Sequence, residues 1–225
     1  MTMGDAIGGT LPMAIAIAIV PVPVIAMVLM LGTPHARRTG PAFAIGWLAG
    51  LGTVGGVMLA IASDNATESS GQPATWASTL KLVFGVAFLF LAVRTWRNRP
   101  RTGEDSEMPK WMQTIDTFTP VKALGAGLLL AAANPKNLAL VIAAATTIAE
   151  AGLPDGQGVV ALSVFVFVAS LAVLAPLVIY FALGDRSAAI LGSIKDWMAE
   201  NNATIMTVLL LVIGTVLIGN AISGY

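Results

Sequence analysis

Apolar residues fill six stretches of this chain, and polar residues gather between them. Each stretch is long enough to cross the ~30 Å hydrocarbon core of a bilayer as a helix, which takes about 20 residues. The pattern therefore predicts an all-α integral membrane protein with six transmembrane helices. The predicted spans lie near 8–31, 40–62, 77–95, 122–148, 158–183 and 203–222.

Composition points to the same class of protein. Of the 225 residues, 56% are hydrophobic and 11% are charged, whereas a soluble domain carries about 25% charged residues. The formal net charge is zero, so there is no global electrostatic case for a nucleic-acid partner. We expect membrane lipids to be the immediate partners of this chain.

The distribution of basic residues predicts the orientation. Ten of the twelve Lys and Arg residues fall in the loops after the first, third and fifth stretches or at the span ends that border those loops, and the other two connecting loops carry only acidic charges. Since Lys and Arg accumulate on the cytoplasmic side, we expect a multi-pass protein of the cell inner (plasma) membrane with both termini outside. The two remaining basic residues, Lys81 and Lys136, fall inside predicted spans.

One charged linker, 96–121, separates three spans in residues 1–95 from three spans in residues 122–225. Because three is an odd number, the two halves must cross the membrane in opposite senses. The first span of each half is interrupted by proline about 13 residues after it begins, at Pro21 and Pro135. Interrupted helices at matching positions are typical of inverted-repeat transporters. We therefore predict two inverted three-helix repeats with broken first and fourth helices.

The interruption at Asn134-Pro135-Lys136 is the strongest candidate for a substrate-binding site. A lysine at the centre of a membrane helix costs roughly 2.5–3.5 kcal/mol on insertion scales. Asparagine is favoured as an N-cap and proline at the first helical position, so the tripeptide is expected to restart a helix. The positive end of that helix, together with Lys136, would bind an anionic group. The alternative is a kinked helix whose lysine snorkels or satisfies backbone carbonyls.

Two further features are candidates for substrate binding. Pro21 and Pro23 remove two backbone donors within three residues, and the carbonyls of Ile17 and Ile19 are then expected to face a cavity or a cation. The alternative there is a kink for packing. Lys81 lies near the outer end of its span, where snorkelling to the interface is cheap; a substrate or gating role is the other interpretation.

Glycines in the second span predict close helix packing. Gly46 with Gly50, and Gly52 with Gly56, both have the small-xxx-small spacing that lets membrane helices touch backbone to backbone. We assign these four glycines to helix packing within the chain or at a dimer seam, and we assign them no chemistry.

Several classes of chemistry find no support in the composition. The chain has no cysteine and a single histidine, which excludes thiol nucleophiles and disulfides and disfavours zinc sites and histidine-based triads. No phosphate-binding loop of the Gly-x-x-x-x-Gly-Lys-Ser/Thr type is present. We therefore expect no enzyme activity, no cofactor and no metal.

The motif Gly127-x6-Asn134-Pro135-Lys136 resembles the fourth span of the lysine-exporter (LysE-type) superfamily, a group of small inner-membrane exporters. The run Leu-Lys-Leu-Val-Phe-Gly-Val-Ala-Phe-Leu at 80–89 resembles the third span of that family, with Phe88 where a tyrosine is usual. The family's first span usually reads Pro-Gly-Pro, and here Val22 stands in place of the glycine. This departure argues against an amino-acid substrate, because glycine would allow close backbone approach.

Within the superfamily, the chain looks most like the GAP/Sap-type branch, which is associated with moving cell-envelope glycolipids (sulfolipid, glycopeptidolipid) toward the surface. The resemblance implies export by six helices in two inverted triplets, with a homodimer or a larger lipid-export complex as partner. The leading hypothesis is a transporter of an anionic lipid or glycolipid across the inner membrane. The alternatives are an exporter of small, amino-acid-like solutes and a non-transporting scaffold that docks a larger lipid-export complex through the linker 96–121.

Overall fold

The computed structural model describes residues 2–68, 75–99, 115, 117–154 and 156–222, so the centre of the predicted linker lies outside the described residues. Within the described part, every regular element is a helix, as the apolar pattern predicts. The helices are α1 (Met3–Ala18), α2 (Pro21–Leu31), α3 (Ala36–Glu68), α4 (Thr75–Arg97), α5 (Pro120–Ala132), α6 (Pro135–Glu150), α7 (Gln157–Leu183), α8 (Ser187–Glu200) and α9 (Asn202–Ile222), with a 3-10 turn at Gly184–Arg186 before α8.

Four helical segments are long and apolar enough to cross a membrane by themselves: α3, α4, α9, and α7 with its continuation through α8. The pairs α1 with α2 and α5 with α6 meet the same criterion only as bent pairs, with bends of 53° and 63°. If each bent pair counts as one span, the described residues contain six spans, in the order that the sequence predicts.

The two bends share one backbone geometry. The residue before each new helix is extended, with φ −60° and ψ 118° at Val20 and φ −76° and ψ 116° at Asn134. A proline follows in both cases, Pro21 and Pro135, at a position where its missing N–H would have no helical partner anyway. Because the residue before a proline avoids helical conformation, each proline places the break one residue upstream of itself.

The pair α5–α6 crosses the bundle and does not turn back. Near the start of α5, the backbone of Leu124 lies against Gly46 of α3. Near the end of α6, Ile148 lies with Leu59 of α3 against Gly158, at the start of α7. Gly46 and Leu59 are 13 residues apart on α3, which corresponds to about 20 Å of helix. The bent pair therefore behaves as one interrupted span.

Two glycines on α3 bring α5 into backbone contact. A Cβ atom on Gly46 would overlap the carbonyl oxygen of Leu124. A Cβ atom on Gly50 would lie 2.8 Å from the Cβ atom of Ala131 and 3.0 Å from the carbonyl oxygen of Leu128. Lipid chains are as apolar as the helices, so membrane helices associate through this kind of close packing. The α3–α5 contact thereby positions α5, and the break that follows it, against α3.

The second pair of glycines on α3 has a different environment. A Cβ atom on Gly52 or Gly56 would meet no atom within 4 Å. Both glycines line an apolar groove of about 870 Å³ between α3 and α7. Within the described residues, no helix packs closely against Gly52 or Gly56. Packing of these two glycines at a dimer seam stays a prediction.

Helices α4 and α9 also meet at glycine. A Cβ atom on Gly85 would lie 3.0 Å from the carbonyl oxygen of Gly214, and a Cβ atom on Gly214 would lie 3.0 Å from the carbonyl oxygen of Gly85. The contact is reciprocal, and the two glycines end similar tetrapeptides, Leu-Val-Phe-Gly at 82–85 and Leu-Val-Ile-Gly at 211–214.

The two ends of the bundle differ in charge. The starts of α3, α5 and α9 and the ends of α4 and α7 lie at one end, which we call the basic end. The other end carries Asp64 and Glu150 and is called the acidic end. The basic end carries Arg37, Arg38, Arg94, Arg97, Arg99, Lys122, Arg186 and Lys195.

Candidate functional site

The break between α5 and α6 is built by Asn134 and Pro135. The Oδ1 atom of Asn134 accepts a hydrogen bond of 3.1 Å from the backbone N–H of Lys136, which makes Asn134 the N-cap of α6. Pro135 occupies the first helical position. The first amides of α6 have no acceptors within their own helix, so this end of α6 is its positive end.

Asn137 stabilises the backbone at the break between α5 and α6. Its side chain is fully buried, and its Nδ2 atom donates a hydrogen bond of 3.1 Å to the carbonyl oxygen of Leu130. In an uninterrupted helix, that carbonyl would accept from the backbone N–H of Asn134. Asn137 therefore replaces the hydrogen bond that the bend removes. The sequence places Asn137 next to the predicted site but assigns it no role of its own, although an asparagine directly after Lys136 in an apolar run is a usable signal.

Lys136 projects into a cavity of about 380 Å³ formed by the end of α4, the start of α6 and the start of α9. The Nζ atom lies 3.3 Å from the sulfur of Met206. Thioether sulfur is only a weak acceptor, so this contact leaves most of the hydrogen-bonding capacity of the ammonium unused. The polar residues that line the cavity with Lys136 are Arg94, Thr95, Asn98 and Asn202.

The cavity has a positive character. It contains two cations, Lys136 and Arg94, and no carboxylate of the described residues forms a salt bridge with either. The Oδ1 atom of Asn202 is buried and has no hydrogen-bond partner in the described part of the chain. Two cations, an unused amide oxygen and a helix N-terminus together suit an anionic group that also carries hydrogen-bond donors. The sequence pattern places Arg94 among the loop charges and gives no signal for Asn98 or Asn202.

Lys81 lies at the acidic end and is paired. Its Nζ atom lies 2.8 Å and 3.0 Å from the two carboxylate oxygens of Glu150, the last residue of α6. The side chain of Lys81 is 7% exposed and that of Glu150 is 26% exposed. The ammonium of Lys81 is therefore paired with a carboxylate at the end of α6, and both interpretations of Lys81, snorkelling and a substrate or gating role, stay predictions. The sequence pattern places Glu150 in a loop and does not indicate that the two residues pair.

Pro21 and Pro23 are buried at the start of α2 and do not line the Lys136 cavity. The carbonyl of Ile17, which was expected to be free, accepts a 3.3 Å hydrogen bond from the backbone N–H of Val20. This part of the sequence expectation is wrong, because the turn between the helices supplies the donor that the prolines remove. A role of the two prolines in substrate binding stays a prediction.

Comparison with known proteins places the chain in a family. No curated protein and no solved structure matches it. The sequence model of one family, described as Sap, sulfolipid-1-addressing protein, matches residues 10–223, nearly the whole chain. This match confirms the resemblance to the Sap-type branch, whereas membership of the LysE-type superfamily stays a prediction. The chain belongs to the Sap, sulfolipid-1-addressing protein family.

Proposed function

We propose that this protein is a membrane carrier that moves an anionic lipid from the basic end of the bundle to the acidic end, and that it is not an enzyme. The observation that carries the proposal is the cavity at the break between α5 and α6. Lys136 and Arg94 share that cavity without a neutralising carboxylate among the described residues. The family's description names a sulfolipid, and a sulfate group is an anion of the kind that two such cations bind.

The free energy needed to place a lysine within a membrane span supports a functional role for Lys136. Charged residues within spans are rare for this reason; they face a cavity or a partner, and they mark substrate pathways. Lys136 faces a cavity, and among the described residues its ammonium has only a thioether within hydrogen-bonding distance. A lysine that served only to satisfy the broken backbone would contact carbonyl oxygens. Asn137 already performs that task at Leu130, which leaves Lys136 available for a ligand.

The architecture that suits such a carrier is a pair of inverted three-span repeats. The matching backbone at Val20 and Asn134 supports it, as does the reciprocal contact between Gly85 and Gly214. Helix packing agrees as well, since α5 packs on α3 just as α1 packs on α7. In carriers of this design, one repeat rocks against the other around a central site.

The charge distribution supports an orientation. Lys and Arg accumulate on the cytoplasmic side of membrane proteins, so we place the basic end in the cytoplasm and both termini outside, in the plasma membrane. The Lys136 cavity lies next to Arg94 and Asn98, at the end of α4 that leads to the basic end. In this orientation, the cavity receives its ligand from the cytoplasmic side, and transport proceeds outward.

The test compares lipids extracted from the cell surface and from the inner membrane in three strains. One strain lacks this protein, one carries the wild type and one carries Lys136→Met. We expect Lys136→Met to insert normally and to abolish surface delivery of the anionic lipid. Lys122→Met is the matched control, because Lys122 is exposed at the start of α5 and lies outside the cavity. Normal delivery by Lys136→Met would refute the proposal and favour a scaffold that acts through other surfaces. A deletion strain that accumulates a small solute and distributes lipids normally would instead favour a small-solute exporter.

A further inference from the structure

Two features relate Lys81 to the Lys136 cavity. It is a buried lysine of α4 that binds a residue of α6, so the ion pair joins the two halves of the chain. The same two helices line the Lys136 cavity at their other ends. Lys81 and Arg94 are 13 residues apart on α4, and Lys136 and Glu150 are 14 residues apart on α6. Helices α4 and α6 are therefore joined by the ion pair at the acidic end, and the Lys136 cavity lies between them at the basic end.

The correspondence between the halves gives Lys81 a specific place. If Gly85 corresponds to Gly214, then Lys81 corresponds to Leu210. Leu210 lines the Lys136 cavity. When one repeat rocks against the other, the equivalent cavity opens at the opposite end, and the residue in the place of Leu210 is Lys81. Each end of the carrier thus has one lysine that lies within a predicted span: Lys136 at the basic end and Lys81 at the acidic end.

We propose that Lys81 is a second site for the anionic group of the cargo, used at the acidic end, and that the carboxylate of Glu150 occupies it in the conformation seen here. The proposal rests on the proposed function. The Glu150 carboxylate, held by both oxygens at 2.8 Å and 3.0 Å, stands in for the cargo anion. Separation of the pair opens the acidic end and exposes Lys81 to the arriving head group. A carrier built in this way has an anion-binding cation at the start and at the end of its path.

The acidic end is closed around this pair. Ser78, one turn before Lys81 on α4, is 1% exposed, and Ile148, two residues before Glu150, is also 1% exposed. At the basic end, Ala203 is half-buried and lines the Lys136 cavity. A cysteine at position 78 or 203 therefore reports which end is open. Because the chain has no native cysteine, each introduced thiol is the only one present.

The first experiment measures labelling of Ser78→Cys and Ala203→Cys by a membrane-impermeant maleimide in reconstituted vesicles. Each reporter is combined with Glu150→Gln, which keeps the side-chain shape and removes the charge. We expect labelling at position 78 to rise about tenfold, the change that ~1.4 kcal/mol produces in an equilibrium, and labelling at position 203 to fall. Asp196→Asn is the control, because it breaks the exposed pair between Lys195 and Asp196 and should change neither rate. Equal labelling in Glu150→Gln and Asp196→Asn would overturn the gating role of the pair.

A second variant separates gating from anion binding. The charge swap Lys81→Glu with Glu150→Lys can re-form the ion pair, so labelling at position 78 should return to the wild-type rate. Position 81 then carries an anion, and delivery of the anionic lipid should be lost. Delivery at the wild-type level would overturn the assignment of Lys81 as a binding site.

Two further measurements cover a Glu150→Gln variant that does not fold and test the proposed function separately. If Glu150→Gln does not fold, the double variant Lys81→Cys with Glu150→Cys is cross-linked by a cleavable thiol-reactive reagent. The joined protein should stop transport and recover it on cleavage; undiminished transport while joined would contradict the proposal. Binding to vesicles of an anionic lipid is measured in parallel. Asp196→Asn should retain that binding, whereas Lys136→Met should lose it. Retained binding in Lys136→Met would refute the proposed function, whatever the labelling experiment shows for the pair of Lys81 and Glu150.

Discussion

The contact between α3 and α5 makes a prediction whose size follows from the packing. Gly46→Ala adds one methyl group that overlaps the carbonyl oxygen of Leu124. Because a backbone oxygen cannot rotate away, the two helices must separate toward the ~3.5 Å at which non-bonded atoms make good contact. Overpacking of this kind typically costs about 1–3 kcal/mol.

Gly52→Ala is the matched control on the same helix. A Cβ atom at Gly52 meets no atom within 4 Å, so the substitution changes only the helix propensity. Replacing glycine by alanine inside a helix is worth roughly 0.5–1 kcal/mol in favour of the folded state. We therefore expect Gly46→Ala to be less stable than Gly52→Ala by about 1–3 kcal/mol, since the same propensity gain applies to both variants.

The assay is unfolding of purified protein in detergent by a graded denaturing surfactant, followed by the loss of helical signal. Anionic-lipid binding is measured on the same samples. Since α5 positions the break before α6, Gly46→Ala should also weaken that binding, whereas Gly52→Ala should leave it unchanged. Equal stability of the two variants would show that α5 does not rest on the α3 backbone, and the account of how the break is positioned would fail.

Three further substitutions test the site and its supports. Asn137→Leu leaves the partly buried carbonyl of Leu130 without its donor and should lower the free energy of unfolding by about 1–3 kcal/mol; unchanged unfolding would contradict the capping role. Arg94→Gln should weaken anionic-lipid binding severalfold in vesicle titrations, whereas Arg97→Gln, outside the cavity lining, should not; equal effects would indicate general surface charge. Gly184→Ala, at φ +54° and ψ −129°, should destabilise by roughly 1–3 kcal/mol in surfactant unfolding, and wild-type stability would refute strain there.

Local sequence patterns predicted the spans and the breaks because the causes are local. A run of apolar residues and a proline act on their own neighbourhood, so the break between Asn134 and Lys136 can be recognised from three residues. The N-cap, the proline at the first helical position and the position of Lys136 within an interrupted span all follow from that tripeptide.

Contacts between distant helices could not be predicted in the same way. Lys81 and Glu150 are 69 residues apart, and their pairing depends on the register of α4 against α6. The glycines show the same limit: Gly46 and Gly52 lie in equivalent small-xxx-small patterns, yet one faces backbone and the other open space. Arg94 looked like a loop charge because nothing in the sequence indicates that the end of α4 reaches the start of α6.

The central claim is that Lys136 receives the anionic group of a lipid that the protein moves across the bilayer. The most direct measurement reconstitutes the purified protein in vesicles that contain a trace of fluorescent sulfated glycolipid and follows its quenching by a membrane-impermeant reductant. We expect wild-type protein and Lys122→Met to move the labelled lipid between leaflets, and Lys136→Met to leave the rate near that of protein-free vesicles. Equal rates for wild type and Lys136→Met would contradict the account.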